Sequence, residues 1–362
     1  MERNRGIDIV RAGAILAVIV YHFYVLIGEN RYVQYPVVHR LLSMGGEIGV
    51  TLFFIISGYG IFLSIDRQKA KKKFSIKKFF QKRCIRILPQ YYLSLLIIIF
   101  IGSQSFVLGT DGIFDIVTHA LLIHNFFPST CGSISTVLWT MGVIFQFYII
   151  SIGLYKCIKK SPLLTLLISI AFTILCKIIV FHFVFPLIEI ESSYYFIYGR
   201  QLFTALDNFV IGMFLGCCGN KILPKKVTSI FMVGIAFLVG TVWCIMPYTD
   251  QRHSDSIIGY TWSTVLALIL GVIVWFFSNI KLKRETWLLR VIMTISKYQY
   301  GIYLWHFVVA ANLLQSSPWI IGIANHSFLL VSIILCVICT LVGFISTITL
   351  EAPDYEKVFK HN

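Results

Sequence analysis

The length of the apolar blocks constrains the fold of this chain more than any other feature of its sequence. Many blocks approach the roughly 20 residues that an α-helix needs to span a bilayer. The composition agrees, because 57% of the 362 residues are hydrophobic and 13% are charged, whereas a soluble domain is about a quarter charged. The sequence therefore predicts an all-α membrane protein whose helices are embedded in, and in contact with, the lipid bilayer.

We predict about ten transmembrane helices in one bundle. No polar stretch is long enough to fold alone, so residues 1–362 are expected to form a single transmembrane domain. The first apolar block is longer than the core of a cleavable signal peptide, so we expect it to be a span. The ten predicted spans are residues 7–27, 47–65, 88–104, 138–155, 163–186, 202–218, 228–247, 258–278, 298–314 and 325–349.

The basic residues predict the orientation of these spans. Lysine and arginine collect in cytoplasmic loops. With both termini in the cytoplasm, the outside segments hold only four of the 31 basic residues, and Lys177 lies within a span. Those four are Arg31, Arg40, Arg200 and Arg252. The net charge of +15 is then mostly a result of topology, and we expect no nucleic-acid partner.

Two loops are longer than a simple connection requires. The cytoplasmic loop, residues 66–87, is basic and has apolar residues at helical spacing, which predicts a helix lying in the membrane interface. The outside loop, residues 105–137, has no lysine or arginine, and its stretch IFDIVTHALLIHNFF predicts a short half-buried helix. Long loops of this kind often bind ligands.

The first span contains an arginine and a histidine in an otherwise apolar helix. Arg11 and His22 are eleven residues apart, which places them on one face, about 16 Å apart along the axis. Ionisable groups within spans usually face a bundle interior or a wet cavity and mark function. Two structural interpretations stay open: Arg11 anchors the helix beside Asp8, and His22 is a neutral core histidine.

Other polar residues interrupt later spans. Ser57 and Gly58 form a small pair that permits close helix packing. Arg83 and Arg86 are one turn apart and either anchor the helix inside or grip a phosphorylated ligand. His306 is a second histidine within a span. The cysteines show no metal-binding spacing, so we expect no metal.

These stretches, taken in order, resemble the integral-membrane acyltransferase 3 family. RGIDIVRAGAILAVIVYHF resembles its opening helix, with the basic-x10-His motif at Arg11 and His22. GVTLFFIISGYGIF is similar to its Ser-Gly-aromatic helix at Ser57, Gly58 and Tyr59. FFQKRCIRILPQYYL, LWTMGVIFQFY and YGIYLWHF resemble three later signatures, the first containing Arg-x-x-Arg.

The resemblance implies transfer of an acyl group, most often acetyl, from cytoplasmic acyl-CoA to a hydroxyl of a cell-surface or lipid-linked glycan. It implies a multi-pass protein of the bacterial cell (inner) membrane with acetyl-CoA as donor. Its oligomeric state is not defined by the sequence, and a homo-oligomer stays open. On the donor side, we expect Arg83 and Arg86 to hold the phosphates of the coenzyme and Arg11 to hold donor charge or to order the pore. We expect His22 to be the general base, with Ser57, Tyr59 or Tyr303 donating hydrogen bonds to the oxyanion. We expect His306 to orient the acceptor and Trp139 either to stack on a sugar or to anchor the helix at the interface.

The chain departs from the family pattern at two places. Ile144 and Phe145 stand where relatives usually have an acidic residue before Gln-Phe-Tyr. Ala205 stands where arginine is frequent, with Arg200 about one turn earlier. These differences leave the acceptor and any acid in the fourth span undefined.

Three alternatives to direct transfer remain from the sequence. The first is a covalent acyl-enzyme through His22 or Ser57. The second is an exporter or flippase of a lipid-linked or acylated polysaccharide, because histidines and basic residues within spans also suit proton-coupled transport. The third is a membrane scaffold for glycan assembly, for which His22 would be dispensable.

Overall fold

The structure, a computed structural model, describes residues 4–28, 34–102, 112–184, 201–219, 226–246, 255–280, 282 and 286–350. These residues are mostly α-helical, and no strand occurs among them. Seven helical segments are long and apolar enough to cross a membrane. The protein is therefore a multi-pass, all-α membrane protein, as predicted, while the count of about ten spans and the cytoplasmic termini stay predictions.

Thirteen α-helices are numbered here in chain order within the described ranges. They are α1 (Arg5–Ile27), α2 (Pro36–Ser43), α3 (Gly45–Ala70), α4 (Ile76–Gly102), α5 (Gly112–Ala120), α6 (Trp139–Lys160), α7 (Pro162–Ile179), α8 (Leu206–Cys218), α9 (Lys226–Ile245), α10 (Ile257–Asn279), α11 (Trp287–Ser316), α12 (Pro318–His326) and α13 (Phe328–Leu350).

Each of the ten predicted spans overlaps at least one of these helices, and the span 325–349 begins in α12 and continues in α13. The seven candidate spans are α1, α2 joined to α3, α4, α6, α7 with the π-helical turn that follows it, α10 and α13. Helix α11 joins α12 at a bend of 101°, so this pair is either one broken span or a re-entrant segment. The apolar parts of α8 and α9 are shorter than a full span.

The basic loop, predicted to be cytoplasmic, is shorter than residues 66–87. Helix α3 continues to Ala70 and α4 begins at Ile76, so only residues 71–75 connect them. The helical spacing in this segment was correct, but the helix continues without a break into the third span. The reason is tertiary: Phe79 is fully buried in an apolar cluster with residues of α3 and α6, which holds the first turns of α4 against the bundle.

Two glycines let α3 and α8 approach closely. A Cβ at Gly58 would overlap the backbone of Phe209, and a Cβ at Gly212 would overlap the backbone of Ile55. Small residues allow such contact where the hydrophobic effect does not drive helices together in lipid. The packing interpretation of Gly58 is therefore correct, and the contact turns the neighbouring Ser57 towards a cavity.

The second long loop is described from residue 112 onwards, and residues 105–111 lie outside the described residues. The predicted short helix appears as α5, which ends at Ala120, earlier than the quoted stretch suggested. Tyr91 and Tyr92 of α4 hold it by donating hydrogen bonds to the carbonyl oxygens of His119 and Ala120 at 2.9 and 2.8 Å. The segment therefore packs back onto the bundle.

Two fully buried histidines stack in this segment, outside the candidate spans. The ring centroids of His119 and His124 are 4.0 Å apart, with the ring planes 10° from parallel. Burial lowers the pKa of His124 to about 3, and the neighbouring His119 adds to the effect. Burial also lowers the pKa of His119. Both rings are therefore neutral at pH 7.

We expect acid to destabilise the protein through His124. In the unfolded chain an imidazole takes up a proton near pH 6.5, whereas in the folded segment it resists protonation until about pH 3. The contribution of neutral His124 is therefore complete above pH 6.5 and is lost as the pH falls towards 3. At pH 5 this loss is about 2 kcal/mol. Thermal unfolding in detergent at pH 7.5 and 5 should show a smaller acid-induced decrease in Tm for His124→Gln than for wild type. An equal decrease in both would contradict the assignment.

Candidate active site

A cavity of about 420 Å³ lies between α1, α3, α4, α6 and α11. Its described lining includes four cations and no carboxylate, which gives it a positive field suited to an anionic ligand. The polar lining residues are Arg11, Ser57, Ser64, Lys82, Arg83, Arg86, Thr140, Tyr148, Gln299, Tyr300 and Tyr303.

The two arginines of α4 both line this cavity. The guanidinium of Arg83 is 3.5 Å from the centroid of the Phe79 ring and donates a hydrogen bond to the Phe79 carbonyl oxygen at 3.0 Å. Arg86, one turn further along, is exposed and also lines the cavity. The buried aromatic ring thus fixes the stem of Arg83, so its charge is held at the cavity wall.

Arg11 lines the same cavity from α1. Its Nη1 is 3.5 Å from the Oδ1 of Asp8, which is fully buried. The Oγ of Ser296 on α11 donates to the same carboxylate oxygen at 2.8 Å. Asp8 therefore fixes Arg11 and ties α1 to α11, so Arg11 both packs as an anchor and faces the cavity.

Tyr148 of α6 was not predicted as a site residue, although it lines the cavity beside its cations. Its ring is 5.4 Å from the Arg83 guanidinium. The positive charges of Arg83, Arg86 and Arg11 act on its hydroxyl, and Ser57 lies beside it in the cavity lining. The signal was present in the Gln-Phe-Tyr stretch, but nothing local to α6 indicates that three arginines from two other helices meet there.

Tyr303 and Thr140 lie together in the cavity wall. The hydroxyl of Tyr303 donates to the Val137 carbonyl oxygen at 2.8 Å and accepts from Thr140 Oγ1 at 2.8 Å. The ring of Phe53 meets that of Tyr303 edge-on, with centroids 6.1 Å apart. Tyr303 is therefore held in place by α3 and by the start of α6.

His22 and His306 meet directly, although they are on different helices and neither lines the cavity. The Nε2 of His306 is 3.0 Å from the Nδ1 of His22. His306 is fully buried, and its ring centroid is 5.6 Å from that of Tyr303. Tyr303, which lines the cavity, thus also contacts His306. The polar stripe predicted on α1 therefore has Arg11 in the cavity wall and His22 in this histidine pair.

Two predicted substrate-binding residues lie elsewhere. Trp139 is only 8% exposed, packs edge-on against Phe54 and does not line the cavity, so its contact with a sugar stays a prediction. Tyr59 is half-buried against an apolar cluster and does not line the cavity. For Tyr59 this follows from helix geometry, because a residue two positions from Ser57 lies on a different side of α3.

The two departures from the family pattern differ in their position relative to the cavity. Ile144 lines the cavity, where an acidic side chain would have opposed its positive field, and Phe145 packs in an apolar cluster. Ala205 is buried, and Arg200 lies outside the described residues. Among the described residues, no group of three or more His, Cys, Asp or Glu side chains is arranged to hold a metal ion.

Comparison with known proteins identifies relatives over most of the chain. A provisionally named O-acetyltransferase of Staphylococcus aureus (strain MSSA476), SAS0844, is 24% identical over 335 residues, covering 85% of this chain and 51% of the relative. The peptidoglycan O-acetyltransferase OatA of Listeria monocytogenes is 25% identical over 334 residues, covering 84% of this chain and 49% of the relative. The chain spans about half the length of these relatives. No solved structure matches it significantly.

The sequence profile of one family, described as an acyltransferase domain, matches nearly the whole chain, from residue 4 to residue 348. This match includes all five helices that line the cavity and both histidines of the pair. The chain therefore belongs to the acyltransferase 3 family.

Proposed function

We propose that this protein is a membrane O-acetyltransferase that moves an acetyl group from cytoplasmic acetyl-CoA to a hydroxyl of a cell-surface or lipid-linked glycan. The observation that supports it most is the placement of one positively charged cavity beside a histidine pair, with Tyr303 contacting both. Family membership and the names of the relatives point to the same reaction. Their names also suggest the acceptor, since OatA is named for peptidoglycan.

The positive charge of the cavity lining suits an anionic donor such as acetyl-CoA. The pyrophosphate and 3′-phosphate of coenzyme A are anions, and guanidinium groups bind phosphate with two parallel hydrogen bonds. Arg83 and Arg86 therefore hold the phosphates, with Lys82 and Arg11 as the other two cations of the lining. The Oε1 of Gln299 is buried and has no hydrogen-bond partner among the described residues. It can accept from an amide N–H of the pantetheine arm.

The charged ends of α3, α4 and α6 support a cytoplasmic location for the arginine pair of the cavity. Lys159 of α6 pairs with Asp66 of α3 at 2.8 Å, and Lys69 lies 4.6 Å from the Tyr155 ring. The basic ends of α3 and α6 and the basic start of α4 are therefore on one side of the bundle. Positive charge favours the cytoplasmic side. Ten spans with both termini inside fit this orientation.

The reaction joins the two parts of the site. His22 takes the proton of the acceptor hydroxyl as its oxygen attacks the thioester carbonyl. The carbon–oxygen bond forms, the carbon–sulfur bond breaks, and the proton returns to the coenzyme A thiolate. Ser57 donates a hydrogen bond to the developing oxyanion, an interaction whose loss typically costs about 3 kcal/mol. Tyr303 is a poorer candidate for this role than expected, because its hydroxyl hydrogen is donated to the Val137 carbonyl oxygen. A neutral imidazole suits this step near pH 7.

Direct binding and transfer test the function. Purified protein in liposomes that contain a lipid-linked glycan extract is given acetyl-CoA labelled in the acetyl group. We expect saturable binding of coenzyme A and label in the glycan fraction. An exporter has no reason to bind the coenzyme, so export of glycan without coenzyme A binding would favour that alternative and overturn the proposal.

A further inference from the structure

The proton positions on the histidine pair follow from its hydrogen-bond partners, beginning with His306. The Nδ1 of His306 is 2.6 Å from the carbonyl oxygen of Tyr303. A carbonyl oxygen only accepts, so the Nδ1 of His306 must carry a proton and donate. In the neutral ring, the Nε2 of His306 then carries the lone pair and is an acceptor.

The same reasoning determines the tautomer of His22. Its Nδ1 is 2.9 Å from the carbonyl oxygen of Val18 and 3.0 Å from the Nε2 of His306. Both neighbours are acceptors, so Nδ1 of His22 carries the proton and donates. The lone pair of the neutral ring is therefore on Nε2, which is the nitrogen that can take a proton from a hydroxyl.

We propose that His306 is the positioning residue of His22: it accepts the Nδ1 hydrogen of His22, keeps the lone pair on Nε2, and stabilises the imidazolium formed during transfer. This inference rests on the proposed function. It replaces the expected role of His306 in orienting the acceptor, because His306 is fully buried and its Nε2 faces His22.

Val18 alone does not supply this function. Its carbonyl oxygen lies on the same helix and also accepts the backbone N–H of His22 in the α-helical ladder. His306 approaches from α11 with a lone pair that points at Nδ1. When His22 accepts the hydroxyl proton at Nε2, its ring becomes positive and its Nδ1 hydrogen bond strengthens, as hydrogen bonds to charged groups do. His306 is therefore related to His22 as an orienting group is to a general base in a catalytic triad.

The arrangement of helices keeps His306 in place. Its carbonyl oxygen accepts a weak hydrogen bond from the Sγ of Cys339 on α13 at 3.5 Å. A Cβ at Gly301 would overlap the backbone of Gly343, so α11 and α13 are in close contact one turn away. His306 is therefore held on a rigid element, as a positioning residue needs to be.

Two variants separate positioning from packing. His306→Leu removes the acceptor, and His306→Gln keeps one in its amide oxygen. We expect His306→Leu to lower kcat about 10- to 100-fold, with KM for acetyl-CoA and folded yield unchanged. We expect His306→Gln to recover much of the lost kcat. An unchanged kcat in His306→Leu, or a glutamine variant as slow as the leucine variant, overturns the proposal.

Nitrogen-15 NMR of histidine-labelled protein in membranes tests the tautomer without any activity. The His22 signals are assigned by their absence in His22→Asn. We expect Nδ1 of His22 to be protonated and Nε2 unprotonated at neutral pH, and the reverse assignment overturns the proposal. Absence of acetyl transfer by the wild type overturns the proposed function instead, so the two failures are distinguishable.

Discussion

Replacing His22 with alanine is expected to lower the rate of acetyl transfer by about 10²- to 10⁴-fold, the usual contribution of a positioned general base. Binding of acetyl-CoA should stay near the wild-type value, because His22 does not line the cavity. The measurement is label transfer to the glycan fraction in liposomes, beside coenzyme A binding by the same preparation.

His326→Ala is the matched control for this substitution. His326 ends α12, is exposed, and lies outside the cavity and the histidine pair. It should transfer label at the wild-type rate. Equal transfer by wild type and His22→Ala would return His22 to a structural role and would also fit a scaffold.

Removing both arginines of α4 is the second substitution with a large expected effect. In the double variant Arg83→Ala, Arg86→Ala, Kd for acetyl-CoA should rise by about 10²-fold or more, because each charge-assisted hydrogen bond contributes about 1.5–3 kcal/mol. The change in Kd is measured by equilibrium binding of acetyl-CoA at fixed ionic strength, since salt screens the attraction between the arginines and the phosphates.

The control removes the same charge from the same helix. Lys77 and Lys78 are exposed at the start of α4 and do not line the cavity, so Lys77→Ala with Lys78→Ala should leave Kd nearly unchanged. Since Arg83 packs on Phe79, Arg83→Gln is a milder variant that retains most of the stem. A collapse of folded yield with donor binding intact in the remainder would make the arginine pair structural.

Local patterns in the sequence predicted the helices and several of their polar residues. Each predicted span overlaps a helix, because runs of apolar residues in lipid must satisfy their backbone hydrogen bonds internally. The spacing between Arg83 and Arg86 correctly predicted one face, since both line the cavity. The resemblance to the acyltransferase 3 family, read from five motifs in order, is confirmed by the match to residues 4–348.

The site itself needed the tertiary structure. His22 and His306 are separated by 284 residues, and nothing near either histidine indicates the other. Tyr148 was missed, while Trp139 and Tyr59 were predicted and lie away from the cavity. The long interfacial loop was reduced to residues 71–75 because Phe79 packs into the bundle.

Hydropathy and the order of the motifs therefore predict which segments are helical, that they are apolar enough to span a membrane, and which family the chain belongs to. They do not predict which polar side chains meet, because that depends on how the helices pack. A helix in lipid is apolar on nearly every side, so hydropathy does not distinguish the face that packs inward. Close contacts at glycines such as Gly58 and Gly212 set the mutual rotation of the helices, and these depend on shape complementarity between distant segments.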